Sequence, residues 1–411
     1  MSNLDNLDPI RREAGDLAER FAAAGYRLYL VGGVVRDALV GSALDTTADL
    51  DFTTDAQPDA VKAILEGWAD TLWTQGERFG TVGARRGDRR VEITTHRRER
   101  YHPGSRKPEV DFSDAIDADL SRRDFTINAM AVELPAGALV DPFGGAADLA
   151  ARLLRTPLDP AETFRDDPLR MLRAARFLAQ LQMAAEPSLV DAMAAMADRL
   201  RIVADERIRD ELDRLLALPD PGPGFALLFR TGLAERVLGP VGDDAAALAR
   251  LQGVIDDPVA RLAALLLDAG SPDEVRAALA ERRATSATAR AVAAVVEAAR
   301  AAVDNPPRTL PELRRWVVNA GPHLDQAVAV AVAAGARGLQ GEVEALVRSE
   351  PDLGGPPVLG GTEIMAALGL EPGPVVGAAT AELRRLRMDT GPLTPAQARR
   401  HLLDWLEHHA G

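Results

Sequence analysis

Apolar residues recur at helical intervals after Asp8-Pro9, at Ile10, Ala14, Leu17 and Phe21, which predicts an opening helix that stops near Gly25. Residues 27–31 (RLYLV) read as a buried strand, Gly32-Gly33 as a tight turn and residues 34–40 as a short helix. Residues 49–54 and 91–95 (VEITT) predict two further strands, and the polar and basic stretch 96–108 a mobile loop. After about Asp159 the pattern changes to Ala, Leu, Arg and Glu at helical spacing, as in RIRDELDRLLAL and ATARAVAAVVEAARAAV. The fold class expected is therefore α+β: a head with a small mixed sheet over residues 1–157, a helical neck over 158–222 and a helical body and tail over 223–411. The stretches DPGPG (220–224) and DLGGPP (352–357) are expected to separate helical subdomains, because Pro and Gly are costly inside helices. No fixed-period repeat is present, which argues against a solenoid.

Composition narrows the class. The 411 residues are 47% hydrophobic and 27% charged, as in folded, soluble chains of two or three domains of roughly 150 residues each. With no cysteine, disulfides, thiolate metal sites and thiol nucleophiles are excluded, and a reducing compartment fits. The N-terminus has no basic segment followed by an apolar stretch, and no 18 apolar residues run together, so neither export nor a membrane partner is expected and the localisation expected is cytoplasmic. The net charge of −14 would repel polyanions at long range, yet residues 85–107 hold nine Lys or Arg against three Asp or Glu. That segment fits either a nucleic-acid contact or a solvated loop.

Four clusters carry chemistry. In Asp49-Leu50-Asp51, residues i and i+2 of a strand, two carboxylates share one face, a costly arrangement that Mg²⁺ and substrate phosphates would relieve; alone, a solvated strand end also fits. Upstream, VGGVVRD (31–37) places Gly32 and Gly33 between a strand and a helix, where backbone N–H groups can meet phosphate and Arg36 can clamp it. Arg122-Arg123-Asp124 with Asn128 offers donors for phosphate and partners for ribose hydroxyls, or a surface ion-pair network. In Asp166-Asp167-Pro168-Leu169-Arg170, Pro168 suits a helical first turn, and Asp167, Arg170 and Arg173 then recur along one side, with Leu169, Leu172 and Phe177 toward the core. An Asp acceptor beside an Arg donor can pair with cytosine or adenine, whereas guanine and uracil present the opposite polarity. A ladder of intrahelical ion pairs is the plainer alternative.

In this order the clusters resemble the motifs of the class II tRNA nucleotidyltransferases, the CCA-adding enzymes and their bacterial poly(A) polymerase relatives, within the polymerase-β superfamily. The resemblance runs on through LVDPFGGAADL (139–149), RIVADERIRDEL (201–212) and GGTEIMAALGLEPGPVVG (360–377), and is weakest between about 241 and 356. It implies a polymerase-β-type head in which Asp49 and Asp51 bind Mg²⁺, with Glu92 a candidate third carboxylate. Gly32, Gly33 and Arg36 would hold the triphosphate, and Arg123, Asp124 and Asn128 the incoming nucleotide. Asp167 and Arg170 would read the base, supported by Arg173 and Arg176. Residues 99–110, with Arg106 and Lys107, resemble the flexible loop used in passing from C to A addition.

Two departures stand out. Asp166 occupies a position where many members have Glu. Residues 261–272 (RLAALLLDAGSP) resemble the place of a His-Asp phosphohydrolase domain in some relatives, but no histidine cluster surrounds Asp268, which is expected to be a helix-end residue. The resemblance implies addition of C, C and A to the tRNA 3′ end from CTP and ATP, with acceptor and elbow as the partner surface and no protein partner. A poly(A) polymerase, an enzyme adding only A, and a catalytically silent RNA-binding module remain open.

Overall fold

In the computed structural model, which describes residues 3–42, 49–100 and 109–409, a seven-stranded mixed sheet organises the N-terminal part. Its strands are β1 (Leu28–Val31), β2 (Leu50–Thr54), β3 (Thr71–Trp73), β4 (Thr81–Arg86) and β5 (Arg89–Thr95), joined after a separate hairpin by β8 (Ala131–Leu134) and β9 (Leu139–Val140). The hairpin pairs β6 (Arg97–Arg100) with β7 (Glu109–Phe112). The sheet order is β3-β4-β5-β2-β1-β8-β9, with β2 parallel to β5 and antiparallel to β1. Alternation along β2 divides the two faces. Leu50 and Phe52 enter a core built with Leu28, Leu30, Ile93 and Val132 and covered by helices α1 (Asp8–Glu13), α2 (Gly15–Ala23), α3 (Gly33–Val40) and α4 (Pro58–Leu65). Asp51 points the other way, in register with Val31 and Glu92. That second face carries only a small apolar cluster, including Tyr29, Val31 and, from α5 (Ile116–Ser121), Leu120.

The chain divides into two compact units, Met1–Val237 and Leu238–Gly411. The first therefore holds the expected head and neck plus residues 223–237. Its remaining helices are α6 (Gly145–Ala151), α7 (Pro160–Asp166), α8 (Arg170–Gln180), α9 (Pro187–Met196), α10 (Asp205–Leu216), α11 (Gly222–Arg230) and α12 (Leu233–Leu238), the last crossing the division. Among its described residues the second unit contains helices and no strand. One of its cores gathers Leu359, Ile364, Ala379, Leu383, Ala398 and Leu402. Arg314, Glu350 and Arg387 form a buried ion cluster there, with Arg314 Nη2 at 2.9 Å and Arg387 Nη1 at 2.5 Å from the Glu350 carboxylate. Asp268 follows the helix Pro258–Leu265 and pairs with Arg250 at 2.8 Å. No helix among the described residues is long and apolar enough to cross a membrane.

Several local expectations are corrected. The opening helix is two segments meeting at Ala14, since Gly15 is a poor helix former, although the bonds Ala14 N to Ile10 O and Ala18 N to Ala14 O keep one apolar face. Residues 97–100 are a strand rather than loop: the backbone pairs Arg97 with Phe112, which a run of charges conceals from any apolar pattern. The helix expected from Pro168 starts at Arg170, leaving Asp167 in the break after α7. DPGPG lies inside the first unit and opens α11, where Pro223 sits in the first turn and Gly224 lies so close to Ala175 O that a Cβ would be 2.7 Å away. DLGGPP lies between two helices of the second unit, just before the core that begins at Leu359. A two-residue parallel pair, β10 (Leu153–Leu154) with β11 (Ala184–Ala185), interrupts the expected all-helical neck.

Candidate active site

A cleft of about 670 Å³ in the first unit is lined by residues from all four clusters: Gly32, Gly33, Arg36, Asp51, Arg123, Asp124, Asn128, Asp167, Arg170, Arg173 and Arg176. Gly32 stands in the left-handed region at φ +86°, and a Cβ there would lie 3.3 Å from Asp51 Oδ2, so only glycine lets the turn approach the carboxylate this closely. Burial pushes the Asp51 carboxyl above its usual range, against the pull of Arg123, while Glu92 and Asp49 push it the same way as burial. Asp49 and Glu92 line a second hollow with Thr71, Trp73, Arg85 and Arg90. Among the described residues no three His, Cys, Asp or Glu side chains converge on one metal position. Two carboxylates close enough for Asp49 to raise Asp51, beside the glycine turn, nevertheless fit Mg²⁺, which takes one or two protein carboxylates and completes its shell with water and phosphate.

Opposite the turn, the arginines are held by buried acids. Asp119 on α5 is fully buried and accepts from Arg122 Nη2 at 2.6 Å and Arg123 Nη2 at 3.2 Å; Arg123 Nε is buried with no protein partner. Burial opposes the Asp119 charge, but Arg122 and Arg123 hold its carboxyl below the usual range. Arg36 donates to Asp37 Oδ1 and, at 2.8 Å, to Asn128 Oδ1. Asp124, in the segment between α5 and β8, is buried and bonded by Arg173 Nη2 of α8 at 2.6 Å, and that cation, with Asn128, overcomes burial to keep its carboxyl below the usual range. Arg176 reaches Glu211 Oε2 at 2.7 Å. Three guanidinium groups, those of Arg36, Arg173 and Arg176, lie 5.3, 5.3 and 4.3 Å from the centre of the Phe177 ring, where its π face favours cations.

The pair expected to read a base is also anchored. Asp167 Oδ1 accepts from Leu169 N at 3.1 Å and Oδ2 from Arg207 Nη2 at 3.1 Å. Arg170 reaches the carbonyls of Arg122 at 2.5 Å and Thr163 at 3.4 Å, tying α8 to the double-arginine segment. Asp119, Arg207 and Glu211 are not singled out by sequence reasoning. Asp119 shows a usable signal, an acid three and four residues before two arginines on one helix face; Arg207 and Glu211 lie in RIRDELDRLL, where only folding brings them to α8. Arg106 and Lys107 lie outside the described residues.

Comparison with known proteins agrees with this geometry. Residues 28–155 match the poly A polymerase head domain family, and residues 182–245 the family described as probable RNA and SrmB-binding site of polymerase A. The CCA-adding enzyme of Levilactobacillus brevis is 38% identical over 231 residues, 56% of each chain. That of Geobacillus stearothermophilus is 35% identical, over 58% of this chain and 57% of its own. The matched region thus spans little more than half the length of these curated relatives. A crystal structure of the Bacillus stearothermophilus CCA-adding enzyme with CTP has a TM-score of 0.71 at 26% identity, covering 97% of this chain and 98% of that one. The Thermotoga maritima CCA-adding enzyme complexed with tRNA-CCA shares the fold, with a TM-score of 0.73 at 20% identity over 98% of this chain and 97% of that one. Residues 28–155 thus carry the poly A polymerase head domain and 182–245 the RNA-binding domain of that family, and the chain as a whole shares its fold with CCA-adding enzymes.

Proposed function

We infer that the protein is a CCA-adding tRNA nucleotidyltransferase, transferring CMP, CMP and AMP from CTP and ATP to the tRNA 3′ end with release of pyrophosphate. The observation that carries this reading is one cleft holding both the turn of Gly32, Gly33 and Arg36 beside Asp51 and the Asp167–Arg170 pair. The first is suited to a triphosphate and the second to a C or A edge. The 3′ hydroxyl oxygen forms a bond to the α-phosphorus, the bond from that phosphorus to the β-phosphate oxygen breaks, and the hydroxyl proton is lost to solvent. Mg²⁺ on Asp49 and Asp51, when bound, would lower the hydroxyl pKa and neutralise the leaving group. Arg123 lines the cleft, and its guanidinium would donate to a phosphate oxygen. Asp167 presents acceptor lone pairs and Arg170 donors, so a uracil or guanine edge meets like against like. The second unit would dock the acceptor and elbow by shape and phosphate contacts, giving salt-dependent binding. The first unit's arginine-lined cleft lies in a chain of net charge −14, consistent with a confined track for RNA. A cytoplasmic location accompanies this reading.

The test is 3′-end sequencing of tRNA lacking CCA, and of an unstructured RNA, after incubation with the protein, Mg²⁺ and all four nucleotides. Defined C-C-A ends on tRNA alone are expected. Long A tails on both RNAs would establish a poly(A) polymerase instead, A alone a divided pathway, and no extension a silent RNA-binding module.

A further inference from the structure

The sheet face that carries Asp51 continues past it as an ordered row. Register sets Asp51 beside Glu92 on β5, Glu92 beside Gly83 on β4, and Gly83 beside Trp73 on β3. The Trp73 indole covers Gly83 so closely that a Cβ there would overlap its Cε2 and Nε1, so only glycine admits the ring. Trp73 is half-buried and lines the second hollow, of about 450 Å³, with Asp49, Glu92, Thr71, Arg85 and Arg90. The arginines of the β4–β5 hairpin divide by alternation. Arg86 and Arg89 pair with Asp16 of α2 and Glu13 of α1, whereas Arg85 and Arg90, both exposed, stand directly opposite each other across the strand pair. Like charges so opposed are destabilising, and an anion between them would relieve the cost.

The reaction gives this hollow a direction. In-line displacement puts the attacking and leaving oxygens on opposite sides of the phosphorus. Strands β1 and β5 flank β2 on opposite edges, so the Gly32 turn, which follows Val31, lies on the side of Asp51 away from Glu92. With the triphosphate in that turn, the attacking hydroxyl approaches from the Glu92 side. Successive strands at normal spacing put the Trp73 ring roughly 10 Å from Asp51, within reach of one nucleotide whose 3′ oxygen is at the carboxylates. We propose that the hollow is the acceptor subsite, in which the last base of the RNA stacks on Trp73 while Arg85 and Arg90 hold the phosphate before it. An aromatic platform beside cations is how single-stranded nucleic acid is gripped without reading its sequence. The proposal names the acceptor site of the reaction proposed above and rests on that reading.

The test is CMP incorporation into tRNA lacking CCA, with the last nucleotide either intact or abasic. Trp73→Leu should raise KM for the intact tRNA about tenfold, as loss of one base–aromatic stack does, and leave KM for CTP within about twofold. On the abasic acceptor the same substitution should change KM by less than about twofold, because the base it would release is already gone. Trp73→Phe should recover most of the loss. The double variant R85Q/R90Q should raise KM for either tRNA and flatten the salt dependence of log KM by roughly 0.7, the share of one phosphate on a single strand. Equal losses on intact and abasic acceptors, or a loss confined to KM for CTP, would overturn the proposal. Should Trp73→Leu fail to fold by thermal melting, the exposed arginine pair carries the test, and an unchanged KM for tRNA with an unchanged salt slope sinks it. A tRNA ending in a fluorescent purine analogue gives a readout without turnover: the unaltered protein should quench it and Trp73→Phe less so. If the unaltered protein extends no RNA, the function reading fails; quenching that depends on Trp73 then still upholds an RNA-end site in the hollow, and its absence removes it.

Discussion

The two faces of strand β2 put the same backbone to opposite uses. Leu50 and Phe52, 2% and 1% exposed, are sealed beneath helices, while Asp49 and Asp51, from alternate positions, meet solvent and cleft. A strand's period of two makes this division automatic: no residue on one face can drift to the other without a slip of the whole register. Stability and chemistry are therefore separable along a few consecutive residues, and variants on each face should fail differently.

The largest effect expected is on the cleft face. Asp51→Asn keeps shape and removes a charge, and should lower CMP incorporation by about 10³-fold or more, as loss of a central electrostatic group does, with the melting temperature shifted by only a few degrees. An Asp51→Asn protein that still incorporates CMP at normal rates would remove Asp51 from the chemistry. On the sealed face, Phe52→Ala should destabilise the first unit by about 3–5 kcal/mol in denaturant titration, while activity per folded molecule at low temperature stays within a few-fold. A Phe52→Ala protein of full stability but lost activity would reverse the assignment of the two faces.

The second unit supplies a further contrast, since its buried Glu350 cluster binds arginines without any motif around it. Glu350→Gln should cost about 3 kcal/mol by leaving the buried Arg314 and the half-buried Arg387 with a neutral partner, and should leave nucleotide selectivity unchanged. Burial pushes the Glu350 carboxyl up, yet its hydrogen bonds to Arg314 and Arg387 more than offset this, so it sits below its ordinary value of 4.5. A carboxyl depressed on folding contributes stability above the unfolded value and loses it as pH falls through the folded one. Thermal melts of the native protein should thus show acid loss below about pH 4.5 that is reduced in Glu350→Gln. The smallest effect sets the scale for an ordinary cap: Ser271→Ala breaks the reciprocal bonds between Ser271 and Glu274, and should cost about 1 kcal/mol with no change in incorporation.

The sequence displays its chemistry more openly than its supports. Gly32, Arg36, Asp51, Asp167 and Arg170 are legible because each belongs to a short run whose spacing already implies a shared face. Asp119, Arg207 and Glu211 act on those residues across the fold, where no local pattern records the meeting. Among elements, β2 and β5 carry apolar positions and are visible, whereas β6 is defined by its backbone pairing with β7, and its run of charges reads as loop. DPGPG is ambiguous for a related reason: Pro and Gly mark a helix start as readily as a domain edge, and no local pattern records the approach of Gly224 to Ala175.

That approach has a thermodynamic consequence. With no side chain at Gly224, the backbone of α11 there rests directly against that of α8 at Ala175, and rotation of α8 about its axis would require α11 to move too. The ordering entropy of the α8 face that lines the cleft is then settled during folding rather than at each encounter. Binding of CTP should accordingly show a small heat-capacity change in calorimetry, of the size set by the nucleotide's own buried surface and without the large negative excess of a coupled folding step.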